Sequence, residues 1–236
     1  MEETLEIHRG AAGLRALLAR ALHLDSAAYA RLSQLENLSQ PAVDVFVSTP
    51  FECIASRRII GTVSRDGAVV PASLLAERLS QEPEIFSEDH VGESRVGGSQ
   101  VDGSQLRIGR SQDAQWIGAL PPKTGFLERE IVPVTAVRQL ADQGRALARQ
   151  FSGPMGPPKS LLNQVVLTVS DDGPGRGEVD IPMRMVFACT SLGLIPGPGA
   201  PQSVPRHLRV STCGRWIRLD APYGSVYHTP QLSLFV

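Results

Sequence analysis

Between Thr135 and Phe151 an apolar or small residue recurs every three or four positions, as Val137, Leu140, Ala141, Gly144, Leu147, Ala148 and Phe151, and Gly153-Pro154 ends the run. A stripe of that period buries one side of a helix and leaves Arg138, Asp142, Arg145 and Arg149 on the other. Such a helix needs a second apolar layer to cover it. Val43 to Ser48 and Ile59 to Val63, both β-branched and aromatic in character, predict core strands that can supply that layer.

Further helices are predicted by the same spacing rule. Leu14, Leu17, Leu18 and Leu22 mark one, and Tyr29, Leu32 and Leu35 mark a second after Asp25-Ser26 as its N-cap. Pro71-Ala72 opens a third, with Leu74, Leu75 and Leu79 on a common face. Asp180 as N-cap, Pro182 in the first turn and Gly193 as C-cap frame a helix through Met183, Val186, Phe187 and Leu192. Ser160 to Val169 fits a helix or a strand, because a short apolar run has no decisive period. Beyond a Pro/Gly connector at 196–205, the runs His207 to Ser211, Arg215 to Asp220 and Ser225 to His228 predict an antiparallel meander. Its turns are Cys213-Gly214 and Pro222-Tyr223-Gly224.

These segments add up to an α+β fold: a single mixed domain with helices packed on a small sheet and a C-terminal antiparallel β-meander. Residues 1–81 hold the N-terminal helices and first strands, and residues 116–236 the later helices and the meander. Between them, 82–115 reads as a flexible acidic insertion, with seven acidic residues against three arginines and the repeat Val96-Gly97-Gly98-Ser99-Gln100, Val101-Asp102-Gly103-Ser104-Gln105. So little apolar surface does not offset the entropy of ordering.

A formal net charge of −1 gives no global field toward nucleic acid or an anionic membrane. Lys123 and Lys159 are the only lysines among 23 basic residues, an arginine bias that fits a high-GC bacterial genome. Three cysteines, Cys53, Cys189 and Cys213, make no disulfide framework and suit a reducing cytosol. The acidic start Met1-Glu2-Glu3 lacks the positive region of a signal peptide, and no apolar run approaches the roughly 18 residues of a membrane span, so a cytoplasmic protein is expected.

Short motifs with chemistry are defective. Gly92-Glu93-Ser94-Arg95-Val96 puts valine where the hydrolase elbow needs glycine. Gly173-Pro174-Gly175-Arg176-Gly177 has Glu178 where a dinucleotide-binding turn needs glycine, with Asp171, Asp172 and Asp180 set to repel a pyrophosphate. His207, Cys213 and His228 are the one set of metal-ligand types that the meander can gather, without a recognised metal spacing. Cys189, in an apolar stretch, is expected in the core, and Cys53 at the end of a predicted strand is a candidate reactive thiol. No catalytic, cofactor-binding or metal residue is assigned.

The remaining candidate surface is the C-terminal unit, where Arg209, Arg215 and Arg218 alternate with Trp216, Tyr223 and Tyr227. Trp, Tyr and Arg are the residue types enriched at binding hot spots. Strand alternation puts Ile217 and Leu219 toward the core and Trp216 with Arg218 on the opposite face. The expected function is a non-enzymatic interaction or regulatory protein that uses this face for a protein partner. Two alternatives stand beside it. One is a winged-helix-like nucleic-acid binder, with Asp180 to Gly193 as recognition helix, and the other is a small enzyme whose site has no recognisable motif.

Overall fold

A computed structural model describes residues 2–36, 38–81, 104–151, 158–170 and 177–230. The fold is α+β with antiparallel strand pairing. Its contacts divide the chain into two compact units, Met1–Ser48 with Ser56–Ala119, and Thr49–Ala55 with Leu120–Val236, a division that the single-domain reading does not make.

The first unit runs β1 (Glu2–Arg9), α1 (Ala11–Leu24), β2 (Tyr29–Leu35), β3 (Ala42–Ser48), β4 (Ile54–Val63), β5 (Val69–Pro71), α2 (Ala72–Gln81) and β6 (Ser104–Arg110), with Ile54 and Ala55 of β4 counted in the second unit. Strands are ordered β5-β2-β3-β4, and β1 pairs antiparallel with both β4 and β6. Helix α1 buries Leu14, Leu17 and Leu18, and α2 buries Leu75 and Leu79, as their spacing predicts.

Three sequence expectations are corrected in this unit. Tyr29–Leu35 is a strand, because it pairs with β3 on one side and β5 on the other, and that ladder overrides a three-residue spacing that also fits a helix. Asp25 is the C-cap of α1 and its carboxylate accepts the Ala27 N–H at 2.9 Å, closing a turn where an N-cap is expected. The expected insertion also ends early, since Ser104–Arg110 pairs with β1 and buries Leu106 and Ile108. Asp113 is held by Arg65 Nη2 at 2.9 Å while Arg65 Nε donates to Glu3 at 2.9 Å. The Arg65 bond, and then the Ser111 hydroxyl, hold the Asp113 carboxyl down at about 2. Residues 82–103 lie outside the described residues.

The second unit runs β7 (Leu127–Pro133), α3 (Val134–Phe151), α4 (Lys159–Asn163), β8 (Val165–Val169), β9 (Val179–Pro182), α5 (Met183–Ser191), β10 (His207–Cys213), β11 (Trp216–Ala221) and β12 (Gly224–His228). Its larger sheet has the order β12-β11-β10-β7, so the expected meander is present, and β8 with β9 forms an antiparallel pair. Ser160 to Val169 is both of its alternatives in turn, α4 and then β8. Asp180 is not an N-cap: it lies within β9, and α5 starts only after Pro182. Gly193, at φ 65, closes that helix with Gly193 N–H to Thr190 O at 3.1 Å and Leu194 N–H to Cys189 O at 3.0 Å, the paired bonds of a Schellman cap.

Three strand-to-helix junctions share one chemistry: Val70-Pro71-Ala72, Val132-Pro133-Val134 and Ile181-Pro182-Met183. The residue before a proline is steered to extended backbone, and proline has no N–H to extend a ladder, so the strand stops there. In each case the proline stands opposite the first residue of a partner strand, Tyr29, His207 or Val165. The next N–H then donates to the carbonyl just ahead of that strand, Ala28, Arg206 or Gln164, at 2.8–2.9 Å. This recurring junction sets the entry of α2, α3 and α5.

Helix α3 packs on α5 through Gly144, where an added Cβ would stand 2.6 Å from Met183 Cε and 2.9 Å from the Phe187 ring. Val137, Ala141 and Ala148 share that buried side, whereas Leu147, placed in the same stripe by its spacing, is 40% exposed.

Candidate functional site

The meander places Ile217 and Leu219 in the core and Trp216 with Arg218 on the opposite side of β11. Those outer side chains are not equally available. Arg218 pairs with Asp220 at 2.8 Å and lies 4.2 Å above the Phe126 ring. Tyr227, directly across from Arg218, is buried and meets the same ring edge-on at 6.0 Å. Arg215 donates to the Pro230 carbonyl, and Tyr223 lies half-buried in the β11–β12 turn. Arg209 is exposed, 3.7 Å from Glu128 and opposite Ile131 on β7. The six candidates therefore separate into an internal pair, Arg218 and Tyr227 on Phe126, and an outer set led by Arg209 and Arg215.

This separation has a measurable consequence. Arg218→Glu sets a carboxylate beside Asp220 and removes the stack on Phe126, and it lowers stability by about 1–2 kcal/mol in urea denaturation. Arg209→Glu, on an exposed side chain, stays within about 0.5 kcal/mol of the parent. Equal midpoints for the two variants would show that Arg218 is not engaged with Phe126.

The winged-helix alternative fails on α5. All residues from Met183 to Cys189, Arg184 included, are buried, so no face of this helix is presented to a groove. The glycine motif at 173–177 connects β8 to β9, an antiparallel pair, whereas a dinucleotide turn leads from a strand directly into a helix; residues 173–176 themselves, like Gly92 to Val96, lie outside the described residues. His207 and Cys213 stand at opposite ends of β10, about 20 Å apart at strand rise. Among the described residues no group of three His, Cys, Asp or Glu side chains is close enough to hold a metal ion. Burial pushes the Cys53 and Cys189 thiols up to about 12, which places Cys189 in the core as expected and removes the thiolate that reactivity at Cys53 needs.

A second constellation, not anticipated from the sequence, lies in the second unit. A cleft of about 390 Å³ is lined by Glu52, Lys159, Asn163, Asp180, Arg184 and His228, with Val165, Pro182 and Pro230 as its apolar walls. Arg184, on the first turn of α5, has a side chain only 6% exposed. Its Nη1 donates to Glu52 Oε2 at 2.6 Å and to the Phe51 carbonyl at 3.2 Å, and its Nη2 donates to Asn163 Oδ1. Lys159 Nζ stands 3.5 Å from the other oxygen of Glu52. The Arg184 bond holds the Glu52 carboxyl below its ordinary range, against the opposing effect of burial. Glu52 is also the one non-glycine with left-handed backbone among the described residues, at φ 56. Strain of that kind persists where surrounding structure enforces it, and it concentrates at functional sites.

His228, at the end of β12, lines the same cleft. Burial, and then the nearby Arg184 charge, push its imidazole down to about 4 from 6.5. A base with a depressed folded pKa favours the folded state while neutral, so its contribution is complete above pH 6.5 and is lost as the pH falls toward 4. Urea midpoints measured from pH 7.5 to 4.5 should therefore fall by an equivalent of about 2 kcal/mol, allowing for partial exposure. His228→Gln should flatten that dependence; an unchanged profile would place the titrating group elsewhere.

Residues 1–95 match a family described as Domain of unknown function (DUF8010), and residues 121–233 match one described as Domain of unknown function (DUF8185). No curated protein matches the sequence. Solved structures similar to this chain include the DNA polymerase sliding clamp of Bacillus subtilis, at 11% identity and a TM-score of 0.52, over 100% of this chain and 66% of that one. The DnaN sliding clamp (DNA polymerase III subunit beta) of Bartonella birtlesii, bound to griselimycin, is similar at 15% identity and 0.52, over 99% and 66%. The sliding clamp of Pseudomonas aeruginosa is similar at 12% identity and 0.51, over 100% and 66%. At such identities the likeness is one of fold. The chain spans about 66% of the length of these clamps. Among the described residues no helix is long and apolar enough to cross a membrane.

Proposed function

We propose that this chain is a non-enzymatic interaction protein whose partner is a protein of the DNA-replication apparatus. The observation that carries the reading is the likeness of fold to DNA polymerase sliding clamps along essentially the whole chain. A place for the partner is offered by β7, which among the described residues pairs with β10 alone, leaving one edge of its backbone unpaired. Leu127 and Ile131 on this strand are 52% and 49% exposed, and Arg209 stands across from Ile131. An extended segment added at such an edge gains main-chain hydrogen bonds, and exposed side chains beside it supply selectivity. In this reading Arg209 and Arg215 serve the contact, Trp216 and Tyr223 flank it, and Arg218 with Tyr227 order the same face through Phe126.

The test is capture of purified DNA polymerase III subunits from the source organism by the immobilised chain and by an Ile131→Glu/Arg209→Glu double variant. The parent should retain at least one subunit, and the variant should lose it with its melting temperature intact. Retention of duplex DNA instead, weakening steeply with salt, would favour the nucleic-acid reading. Equal capture by parent and variant would remove β7 from the interface.

A further inference from the structure

We propose that the cleft of the second unit binds the phosphate group of a small ligand, and that Glu52 occupies this site as a built-in substitute. Two cations converge on the Glu52 carboxylate, one at each oxygen: Arg184 at 2.6 Å and Lys159 at 3.5 Å. The Arg184 side chain is more than nine-tenths buried, and its Nε is itself buried without a hydrogen-bond partner. Burial of such a group without a partner is costly and calls for an acceptor. The start of α5 adds to the pull. Pro182 caps it without a side-chain hydrogen bond and its first turn holds no acidic residue, so the positive end of the helix dipole lies on the Arg184 side, with its first N–H given to the Gln164 carbonyl.

The chemistry of the exchange selects phosphate over carboxylate. Glu52 brings one charge and two oxygens, and its tether gives it a high effective concentration. A free carboxylate offers no more than that and does not displace it. A phosphomonoester carries a charge of about −1.5 to −2 and three acceptor oxygens, enough to meet Arg184, Lys159 and the Asn163 amide together. Asp180 lines the same cleft and accepts the Thr168 hydroxyl at 2.8 Å; its charge confines the phosphate to the Lys159 and Arg184 side. The rest of the ligand would then lie against Val165, Pro182 and Pro230. A volume of about 390 Å³ suits a compact phosphomonoester.

Calorimetric titration of the full chain at fixed ionic strength tests this, with inorganic phosphate as probe and acetate as control. Glu52→Gln removes the competing charge and should bind phosphate at least 10-fold more tightly than the parent. Adding Lys159→Ala, an exposed change, should reverse that gain at least 10-fold. If Glu52→Gln does not fold, Glu52→Gly, which accepts the left-handed backbone, replaces it with the same expectation. A Glu52 variant that binds no more tightly than the parent, a Lys159→Ala change without effect, or acetate heats equal to those of phosphate would each overturn the proposal.

Discussion

Deletion of residues 104–110 should abolish cooperative unfolding of the first unit. The segment contributes β6, whose residues from Ser104 to Arg110 pair with β1 from Ile7 back to Glu2. Leu106 and Ile108 are 2% and 0% exposed, and each such side chain contributes about 1.5–3 kcal/mol by leaving water. The lost ladder and the uncovered β1 add to that sum, against a total stability of only about 5–15 kcal/mol for a typical domain. Removing residues 88–101 instead, whose Gly, Ser and Gln content offers little to a core, should leave the melting temperature nearly unchanged. Differential scanning calorimetry of both deletions separates the two cases. A cooperative transition that survives loss of 104–110 would show that β6 is dispensable.

The second large effect is expected at α3. Ala141 is fully buried on the side of the helix that holds Gly144 against Met183 and Phe187, so Ala141→Asp forces a carboxylate into a tightly packed site. A cost of about 4 kcal/mol or more is expected from burial of the charge together with overpacking. Leu147→Asp, about one and two-thirds turns further along, should cost about 1 kcal/mol or less, because Leu147 is 40% exposed. Guanidinium denaturation of the two variants gives the contrast directly. Comparable losses would mean that the buried side of α3 runs through Leu147, as its spacing suggests, and not through Gly144.

The difference between those two leucine-stripe positions illustrates where the sequence is informative. Period identifies α3, while β-branched and aromatic content bounded by turn residues identifies β3 and the terminal meander. It fails at Tyr29–Leu35, where residues spaced by three fit a helix although the strand ladders on both sides decide the outcome. It fails again at Ser104–Arg110, where only Leu106 and Ile108 alternate within a polar neighbourhood and the pairing with β1 supplies the order. Of the aliphatic-proline junctions at Val70, Val132 and Ile181, the sequence reading places Pro71 and Pro182 at helix starts but does not see the strands that end there, and it passes over Pro133.

The cleft shows a different limit. Arg184 stands out in the sequence as the one basic residue among Met183, Met185, Val186 and Phe187, and burial with a partner is what that context implies for an arginine. Its partner is 132 residues away in sequence, at Glu52. Nothing local marks Glu52 for left-handed backbone, which glycine or asparagine would normally fill. The meander surface was legible as an alternation of faces, but Phe126, which engages Arg218 and Tyr227, comes from a segment outside that alternation.

Binding of a replication protein is the function proposed for this chain. Sedimentation velocity of the purified chain, alone and mixed with each purified DNA polymerase III subunit of the source organism, tests it most directly. A faster-sedimenting complex with at least one subunit is expected at micromolar concentration, and it should be absent for the Ile131→Glu/Arg209→Glu variant. Independent sedimentation of every mixture would contradict it.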